Sequence, residues 1–584
     1  MEKPIIYQLL PRLFTNCNDH CRPDGTIEEN GCGKLNEITD EVLADIRQLG
    51  ATHVWYTGVL EHATATDYSA FGIRRDNPFV VKGKAGSPYA IKDYYDIDPD
   101  LAVDVDRRRE EFDALVARTH AAGMKVVMDF VPNHLARQYN SDARPEGTRE
   151  FGEDDDATLY FRRDNNFYYI PRQLFSPHFT VNFPHPPYVE FPAKATGNDC
   201  FSAFPGVNDW YETVKLNYGI DYGNGSRNFN PVPDTWYKML HILRHWAARG
   251  IDAFRCDMAH MVPVEFWQWA ISNVKRDWPE VVFIAEIYDV ALYRDFIHRG
   301  GFDYLYDKVT LYDTLRAIEC SDTSAACLTN CWQTVGDIRG HMLNFLENHD
   351  EQRFASTFYA GDGWRAIPSL VVASTISTCP MMVYAGQELG EKGADAEGFS
   401  GLDGRTTIFD YWSIPTLRRR LSSGVPSDAG LPESMVKLRQ AYARILTLAS
   451  TERAVSCGEF FDLMYVNYNS PGFNPHRHYT YLRHYAGETL LIAVNFGFEP
   501  ARGAAINLPD HAFDYLGIAP GDDFMAEELL GGERIEELSF TPSAPFLTDI
   551  PAKGAVVWKI QKREKTADDV KKPAPKSRRK GEKQ

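Results

Sequence analysis

The sequence predicts an α/β fold: a (β/α)8 or TIM barrel with a subdomain inserted after its third strand and a C-terminal antiparallel β-sandwich. Eight short apolar segments recur between residues 5 and 386, and most of them are followed by a helical pattern. Repeated strand–helix alternation indicates a parallel sheet, and eight units can close it into a barrel. No GxGxxG motif follows the first strand, which counts against the alternative of an open, dinucleotide-binding sheet.

The barrel elements follow one another in a regular order. Helices are expected at about 40–49, 106–122 and 234–249, each ending at a glycine, and again over VEFWQWAISNVKR. Glycine is the residue that most readily adopts the left-handed backbone that ends a helix. The predicted strands are IIYQLL (5–10), THVWYTG (52–58), KVVMDFV (125–131), IDAFRCD (251–257), VVFIAEI (281–287), FDYLYD (302–307), HMLNFLE (341–347) and MMVYAG (381–386).

Two composition changes divide the chain. Residues 135–228 are too many for a simple connection, so they are assigned to an inserted domain, and the barrel comprises 1–134 and 229–452. After residue 452 short alternating segments separated by Gly, Pro and Asn predict a β-sandwich over 453–560. The basic tail, 561–584, lacks apolar residues and is predicted to be disordered.

Charge and composition narrow the class of partner. The net charge is −19, which argues against nucleic acid or an anionic membrane and favours a neutral, hydrated substrate. No run approaches the length of a membrane helix, and no signal-peptide pattern is visible near the first residues, so we expect a cytoplasmic protein, although a sequence trimmed of its leader would look the same. Nothing in the sequence indicates the oligomeric state.

The ten cysteines show no dense disulfide spacing, so reduced thiols are expected. Cys17, His20, Cys21 and Cys32 form the one group that could be interpreted as a zinc knot. Their spacing does not match the common two-pair patterns, and a surface loop is the preferred interpretation.

Polar residues cluster where the predicted strands end. In a barrel of this kind the catalytic residues lie at the carboxyl ends of the strands. One aspartate there could simply cap the following helix, but four strand ends with carboxylates indicate a common site. The residues concerned are Asp129, Asn133 and His134 after the third strand, Arg255 and Asp257 at the fourth, Glu286 at the fifth, and Asn348, His349 and Asp350 at the seventh.

Paired carboxylates without a nucleophilic Ser or Cys motif favour acid/base chemistry on a neutral substrate. Glycoside hydrolysis is the leading example, in which one carboxylate attacks the anomeric carbon and a second, protonated one assists the leaving oxygen. Metal-assisted hydrolysis is the competing interpretation, because Asp, Glu and His are also metal ligands. The absence of HxH and HExxH patterns places it second.

Four motifs resemble the signature regions of the α-amylase superfamily of retaining, α-glucan-active enzymes: DFVPNH, GIDAFRCD, FIAEI and FLENHD, in that order. The insert resembles that family's domain B and the C-terminal sandwich its domain C. VYAGQELG resembles the eighth-strand segment, and GSPYAIKDYYDIDPDL resembles the loop before the first region. The resemblance extends to about residue 560 and implies an α-glucan oligosaccharide or polysaccharide as substrate.

The resemblance implies a role for each carboxylate. Asp257 matches the nucleophile, Glu286 the general acid/base, and Asp350 the third carboxylate, which holds sugar hydroxyls. Arg255 matches the arginine beside the nucleophile, and a guanidinium there is expected to keep Asp257 ionised by lowering its pKa. Glu286 needs a raised pKa so that it arrives protonated. No cofactor is needed for this chemistry.

Other family positions imply substrate contacts and supports. His134 and His349 match histidines that donate to sugar hydroxyls, and Tyr89 matches the aromatic residue that stacks against the sugar ring. Asn133 matches a position that often ligates a structural calcium ion, so a Ca²⁺ site there is a hypothesis. Asp129 and Asn348 match positions that support the site from behind.

Two departures from the family pattern leave the reaction open. Ser87 stands where many members have a histidine. His260 and Met261 stand where many endo-acting amylases have Lys-His, although His260 could still bind an acceptor. The segment MVPVEFWQW resembles the maltosyltransferases that use phosphate, but the Asn-His-Asp of the fourth region favours hydrolysis, and the extra N-terminal domain of those transferases is not seen. Hydrolysis therefore leads, transglycosylation is the alternative, and a non-catalytic glucan-binding subunit is a third option that the three carboxylates disfavour.

Overall fold

The structure is a computed structural model that describes residues 3–179, 185–516, 523–531, 535–539 and 544–562. Eight parallel strands close into a barrel, because the first strand pairs with both the eighth and the second. The predicted (β/α)8 barrel is therefore confirmed and the open sheet is excluded. The barrel strands are β1 (Ile5–Leu9), β2 (His53–Tyr56), β3 (Lys125–Phe130), β4 (Ala253–Cys256), β5 (Val282–Ala285), β6 (Tyr304–Tyr306), β7 (Met342–Phe345) and β8 (Met381–Tyr384).

Helices surround the barrel and cover the apolar outer face of its strands. Three predicted helices end as expected, because Gly50, Gly123 and Gly250 adopt φ angles of 102°, 75° and 91° and release the chain into the next strand. The longer helices of the barrel region are α1 (Asp40–Gln48), α2 (Arg108–Ala121), α3 (Asp234–Ala248), α4 (Val264–Asp277), α5 (Asp313–Cys320), α6 (Leu328–Val335), α7 (Ile367–Thr375) and α8 (Glu433–Thr451).

The inserted segment leaves the barrel after β3 and returns beside its own starting point. Its first strand, His134–Ala136, pairs antiparallel with Thr213–Lys215 near its end. Two further short pairings stabilise the insert, Tyr169–Ile170 with Ala193–Lys194 and Ile220–Asp221 with Ser226–Arg227. This arrangement brings residues 133–137 and 210–217 together at the mouth of the barrel.

The C-terminal region contains two antiparallel sheets that share an apolar core. Helix α8 ends at Thr451, and the first strand of this region begins at Glu459. Side chains such as Leu491 from the larger sheet and Ile506 from the smaller one belong to one buried cluster, as in a sandwich. The strands are β9 (Glu459–Asp462), β10 (His478–Tyr485), β11 (Glu488–Asn495), β12 (Ala501–Ile506), β13 (Asp523–Glu528), β14 (Ile535–Ser539), β15 (Phe546–Ile550) and β16 (Gly554–Lys562).

The six-stranded sheet has the order β9-β10-β11-β16-β13-β14, and β12 pairs with β15. The predicted disordered tail, 561–584, lies outside the described residues except for its first two, which end β16. Among the described residues, no helix combines the length and the apolar composition needed to cross a membrane.

The cysteines are all free thiols. Those of the considered zinc group point to separate partners: Cys17 Sγ lies 3.4 Å from the Leu421 carbonyl and Cys32 Sγ lies 3.3 Å from the Asp100 carbonyl, while Cys21 contacts Ser413. These thiols therefore do not converge on one point, and the structure supports the surface-loop interpretation.

Candidate active site

The three carboxylates implied as catalytic meet at the carboxyl end of the barrel. Asp257 follows β4 directly, Glu286 follows β5 directly, and Asp350 lies in the loop after β7. All three line one cavity of about 300 Å³, a volume at the lower end of ligand-binding pockets. His134 and Tyr89 line the same cavity, as the resemblance implies for residues that contact a sugar.

The buried side chain of Arg255 contacts three carboxylates of the site. Its Nη1 lies 2.9 Å from Asp257 Oδ1 and 3.2 Å from Asp129 Oδ1, and its Nη2 lies 2.7 Å from Glu286 Oε2. Its Nε donates to the Tyr306 hydroxyl at 3.2 Å. The side chain is only 1% exposed, and a buried guanidinium is tolerated because several carboxylates and hydrogen bonds compensate its charge.

The pKa of Asp257 departs from the sequence expectation. Burial raises it well above the usual range, and the neighbouring Glu286, Asp129 and Asp350 raise it further. Arg255 lowers the pKa, as expected, but by less than burial raises it. The expectation that the arginine sets the net direction is therefore wrong, because transfer of a carboxylate from water into this site outweighs one ion pair.

Glu286 is held at both of its oxygens. Its Oε2 accepts the backbone N–H of Met258 at 2.9 Å, and its Oε1 accepts the Tyr288 hydroxyl at 2.5 Å. Met258 adopts a left-handed backbone with φ of 43°, which a non-glycine residue adopts at a cost, and its N–H donates to Glu286. Sequence reasoning missed both residues, although Tyr288 lies only two positions after Glu286.

Asp350 is supported by its neighbours in the fourth motif. Its backbone N–H donates to Asn348 Oδ1 at 2.9 Å, and its Oδ2 lies 3.0 Å from His349 Nε2. Burial acts to raise the pKa of Asp350, but His349 and the arginines Arg255 and Arg405 outweigh it, so that the pKa lies below its usual value. Asp257 and Asp350 thus have environments that shift their pKa values in opposite directions.

Tyr89 and His349 form one unit beside the cavity. The Tyr89 hydroxyl lies 2.6 Å from His349 Nε2, and the two rings stack with centroids 5.2 Å apart. His349 is 2% exposed and, like Arg255, lies behind the residues that line the cavity. The implied contacts of His349 and Arg255 with a sugar remain predictions, whereas Asp129 and Asn348 do occupy supporting positions.

His134 is a neutral imidazole at the cavity wall. Burial, Lys215 and Lys82 lower its pKa to about 3, so that it can both donate to and accept from a hydroxyl group. His260 does not line this cavity. It lies in an adjacent one of about 660 Å³, together with Met261, and the two cavities share Met258 and Trp210.

The residues at Asn133 do not fit a calcium ion. Asn133 Oδ1 accepts a hydrogen bond from Lys215 Nζ, which also lies 2.6 Å from Asp199 Oδ1 and 3.3 Å from the Met261 carbonyl. An ammonium group has three donors and needs three acceptors of this kind. The oxygen atoms that could coordinate Ca²⁺ at this place are therefore already bound to a cation of the chain itself, and the calcium hypothesis is not supported by these contacts.

Known proteins resemble this chain over most of the barrel. The family model described as alpha amylase, catalytic domain, matches residues 8–288. Alpha-amylase MalA of Haloarcula japonica is 24% identical over 406 residues, which are 67% of this chain and 45% of that protein. An alpha-1,4-glucan:maltose-1-phosphate maltosyltransferase of Rhodospirillum rubrum is 24% identical over 308 residues, which are 52% of this chain and 39% of that protein.

A solved structure of an α-amylase from Geobacillus thermoleovorans superimposes with a TM-score of 0.62 at 19% identity, covering 97% of this chain and 99% of that one, which shows a shared fold. The chain spans less than half the length of the curated relatives named above. The resemblance to the α-amylase superfamily that the motifs indicate is confirmed over residues 8–288, which the family model matches.

The substitution Asp129→Asn is expected to move the acidic limb of the kcat/KM profile to lower pH. The resemblance implies that Asp257 is the nucleophile, and a nucleophilic carboxylate must be ionised, so activity is expected to fall as pH drops through its pKa. The charge of Asp129 raises that pKa, and Arg255 and the other two carboxylates still face Asp257 in the variant. Kinetics between acidic and neutral pH measure the shift. Asp252→Asn, just before the start of β4, is the control and should leave the profile unchanged; an upward shift in Asp129→Asn would contradict the assignment.

Chelation is expected to have no effect at Asn133, because Lys215 already satisfies the acceptors there. Thermal unfolding and activity should be the same with EDTA as with added Ca²⁺. In contrast, Lys215→Met should destabilise the fold by about 1–3 kcal/mol, since it leaves buried acceptors unpaired. Lys125→Met, at an exposed lysine, serves as control. A midpoint that falls with EDTA and recovers with Ca²⁺ would show that this reasoning is wrong.

Proposed function

We propose that the protein is a retaining α-glucan hydrolase that cleaves α-1,4 links of starch, glycogen or maltooligosaccharides through a covalent glycosyl-enzyme intermediate. The observation that carries the proposal is the shared arginine: Asp257 and Glu286 contact the two terminal nitrogens of one guanidinium. Carboxyl groups held in this way lie side by side. This favours the separation of about 5–5.5 Å of retaining enzymes over the 6.5–9.5 Å that leaves room for a water in inverting ones.

The contacts of Glu286 support one of its oxygens as the proton donor of the proposed reaction. Its Oε2 faces the Met258 N–H and Arg255, which can only donate hydrogen bonds, whereas the Tyr288 hydroxyl beside Oε1 can also accept one, and this favours Oε1 as the site of the transferable proton. In the first step Asp257 attacks the anomeric carbon while Glu286 protonates the departing glycosidic oxygen. In the second step Glu286 takes a proton from water, the water oxygen attacks the same carbon, and Asp257 is released with the configuration retained.

The rest of the site suits a neutral substrate with many hydroxyl groups. His134 supplies a neutral imidazole, Tyr89 an aromatic ring, and Asp350 an ionised carboxylate at the same cavity. Two carboxylates provide both the nucleophile and the proton, so the proposed reaction requires no cofactor. The convergence of all three carboxylates also disfavours a non-catalytic binding subunit.

Glucan transfer is the second candidate, and the adjacent cavity of about 660 Å³ favours it. That cavity is lined by His260, Arg227 and Arg299, and the two arginines lie 3.0 Å and 2.7 Å from Glu265. Guanidinium groups are suited to bind a phosphate acceptor. One curated relative is named a maltose-1-phosphate maltosyltransferase, which agrees with this candidate.

The product profile on maltoheptaose distinguishes the two candidates. We expect shorter maltooligosaccharides as products, because water is the acceptor in the proposed reaction. Chromatography with and without inorganic phosphate measures this. Products longer than the substrate, or a sugar phosphate when phosphate is added, would favour transfer instead. No conversion under either condition would refute both candidates.

Substitution of either central carboxylate should lower turnover by orders of magnitude in a well-folded protein. Glu286→Gln removes the acid/base and should lower kcat by about 10²–10⁴-fold. Asp257→Ala removes the nucleophile and should cost at least as much, since no covalent intermediate can form. Initial rates on maltoheptaose measure both effects, with Asp277→Ala on the exposed side of α4 as control. Near-normal turnover in either variant would refute the assignment.

A further inference from the structure

The two cavities at the barrel mouth differ in size on either side of the scissile position. Met258, whose N–H binds the acid/base, lines both of them, so it marks the boundary where the glycosidic bond would lie. The side with His260 and Met261, which matches the leaving-group side of the family, has about 660 Å³. The side with Asp257 has only about 300 Å³. The chain thus offers less room on the side of the sugar that becomes attached to the nucleophile than on the leaving-group side.

A buried ion pair lines one wall of the smaller cavity. Lys82 Nζ lies 3.1 Å from Glu212 Oε1, and the two side chains are 10% and 4% exposed. Lys82 belongs to the loop between β2 and β3, whereas Glu212 belongs to the returning end of the inserted domain. Both line the cavity with the catalytic carboxylates, and neither lines the larger cavity. The pair therefore joins the loop between β2 and β3 to the inserted domain at the wall of this cavity.

The loop that carries Lys82 also packs against the loop after β8. The Ala85 N–H donates to the Phe409 carbonyl at 3.1 Å, and Phe409 lines the cavity beside Lys82. The approach is so close that a Cβ at Gly83 would lie 2.1 Å from that carbonyl oxygen, and Gly83 has a φ of 67°. Three segments of chain thus meet in one wall, which we call the end wall and define as Lys82, Glu212 and Phe409.

The end wall has the chemistry to recognise the end of a sugar chain. A terminal hydroxyl group both donates and accepts hydrogen bonds, so it can bind an ammonium and a carboxylate together. Within the described chain, Glu212 Oε2 is buried and has no hydrogen-bond donor. A charge pair removed from water is costly unless further hydrogen bonds satisfy it. A wall that only blocked the cavity sterically could consist of apolar residues, which would avoid the desolvation cost of a charged pair.

We propose that the end wall forms the far end of the glycone side of the site, where it binds the non-reducing terminal ring of the glucan. The enzyme would then act from chain ends and not within chains. The inference rests on the proposed function, because it assumes that Asp257 receives the glycosyl group. It names Lys82 and Glu212 as the residues that determine this specificity. The larger cavity then accommodates the remainder of the chain on the leaving-group side.

The test compares two forms of maltoheptaose labelled at the reducing end, one free and one with a 4,6-acetal on its non-reducing terminal ring. The free form should be shortened from its unlabelled end. The blocked form should react at least about 100-fold more slowly, because the acetal clashes with the wall. Similar rates for both, with products from internal cleavage, would overturn the inference while leaving the proposed function intact. Conversion of neither form would overturn the proposed function, and this inference with it.

A charge-removing variant tests the named residues. Lys82→Met with Glu212→Gln keeps the side-chain shapes and should raise KM for the free form about tenfold, the effect of losing one charge-assisted hydrogen bond. The rate on the blocked form relative to the free form should rise. Lys437→Met with Glu433→Gln, at an exposed pair of the same types on α8, is the control. A folded variant with unchanged KM and unchanged preference would overturn the assignment of Lys82 and Glu212.

Discussion

One guanidinium organises the catalytic end of this barrel. Arg255 is buried beneath the mouth and contacts Asp257, Asp129 and Glu286, so its position determines how the carboxylates lie relative to one another. The aromatic residues Trp55, Tyr89 and Tyr306 surround it, with ring centroids 5.3–5.5 Å from the guanidinium carbon. Such a charge is stable in the interior only while its partners remain in place. Asp257, Glu286 and Asp129, which we propose as the nucleophile, the acid/base and their support, therefore form one interdependent unit.

That unit explains why neighbouring carboxylates can have different roles. Asp257 lies among like charges in a dry site, which raises its pKa, whereas Asp350 is next to His349, which lowers its pKa against the effect of burial. Glu286 is oriented by Met258 and Tyr288 instead. Environments that push apart the pKa values of neighbouring groups are typical of acid/base sites. The chemistry thus depends on burial and hydrogen bonding as much as on the carboxylates themselves.

Lysines of the chain occupy two positions where the inserted domain meets the barrel. Lys215 joins Asn133 to Asp199, and Lys82 joins the loop after β2 to Glu212. Both lysines are largely buried, and each joins segments that are distant in sequence. The contact of Lys215 with Asn133 explains why Asn133 is not suited to be a calcium ligand. The Lys82–Glu212 pair lines the cavity beside Asp257. The insert consequently shapes the site although it provides none of the three carboxylates.

The sequence by itself determined the barrel, the insert, the C-terminal sheets and the strand ends that carry Asp257, Glu286 and Asp350, because strand–helix periodicity and short motifs are local signals. Tertiary structure alone decided which contacts those residues make. The net pKa of Asp257, the Met258 contact to Glu286 and the Lys82–Glu212 pair depend on distances between segments up to 130 positions apart. Burial and charge coupling act through space, so no local pattern could show them.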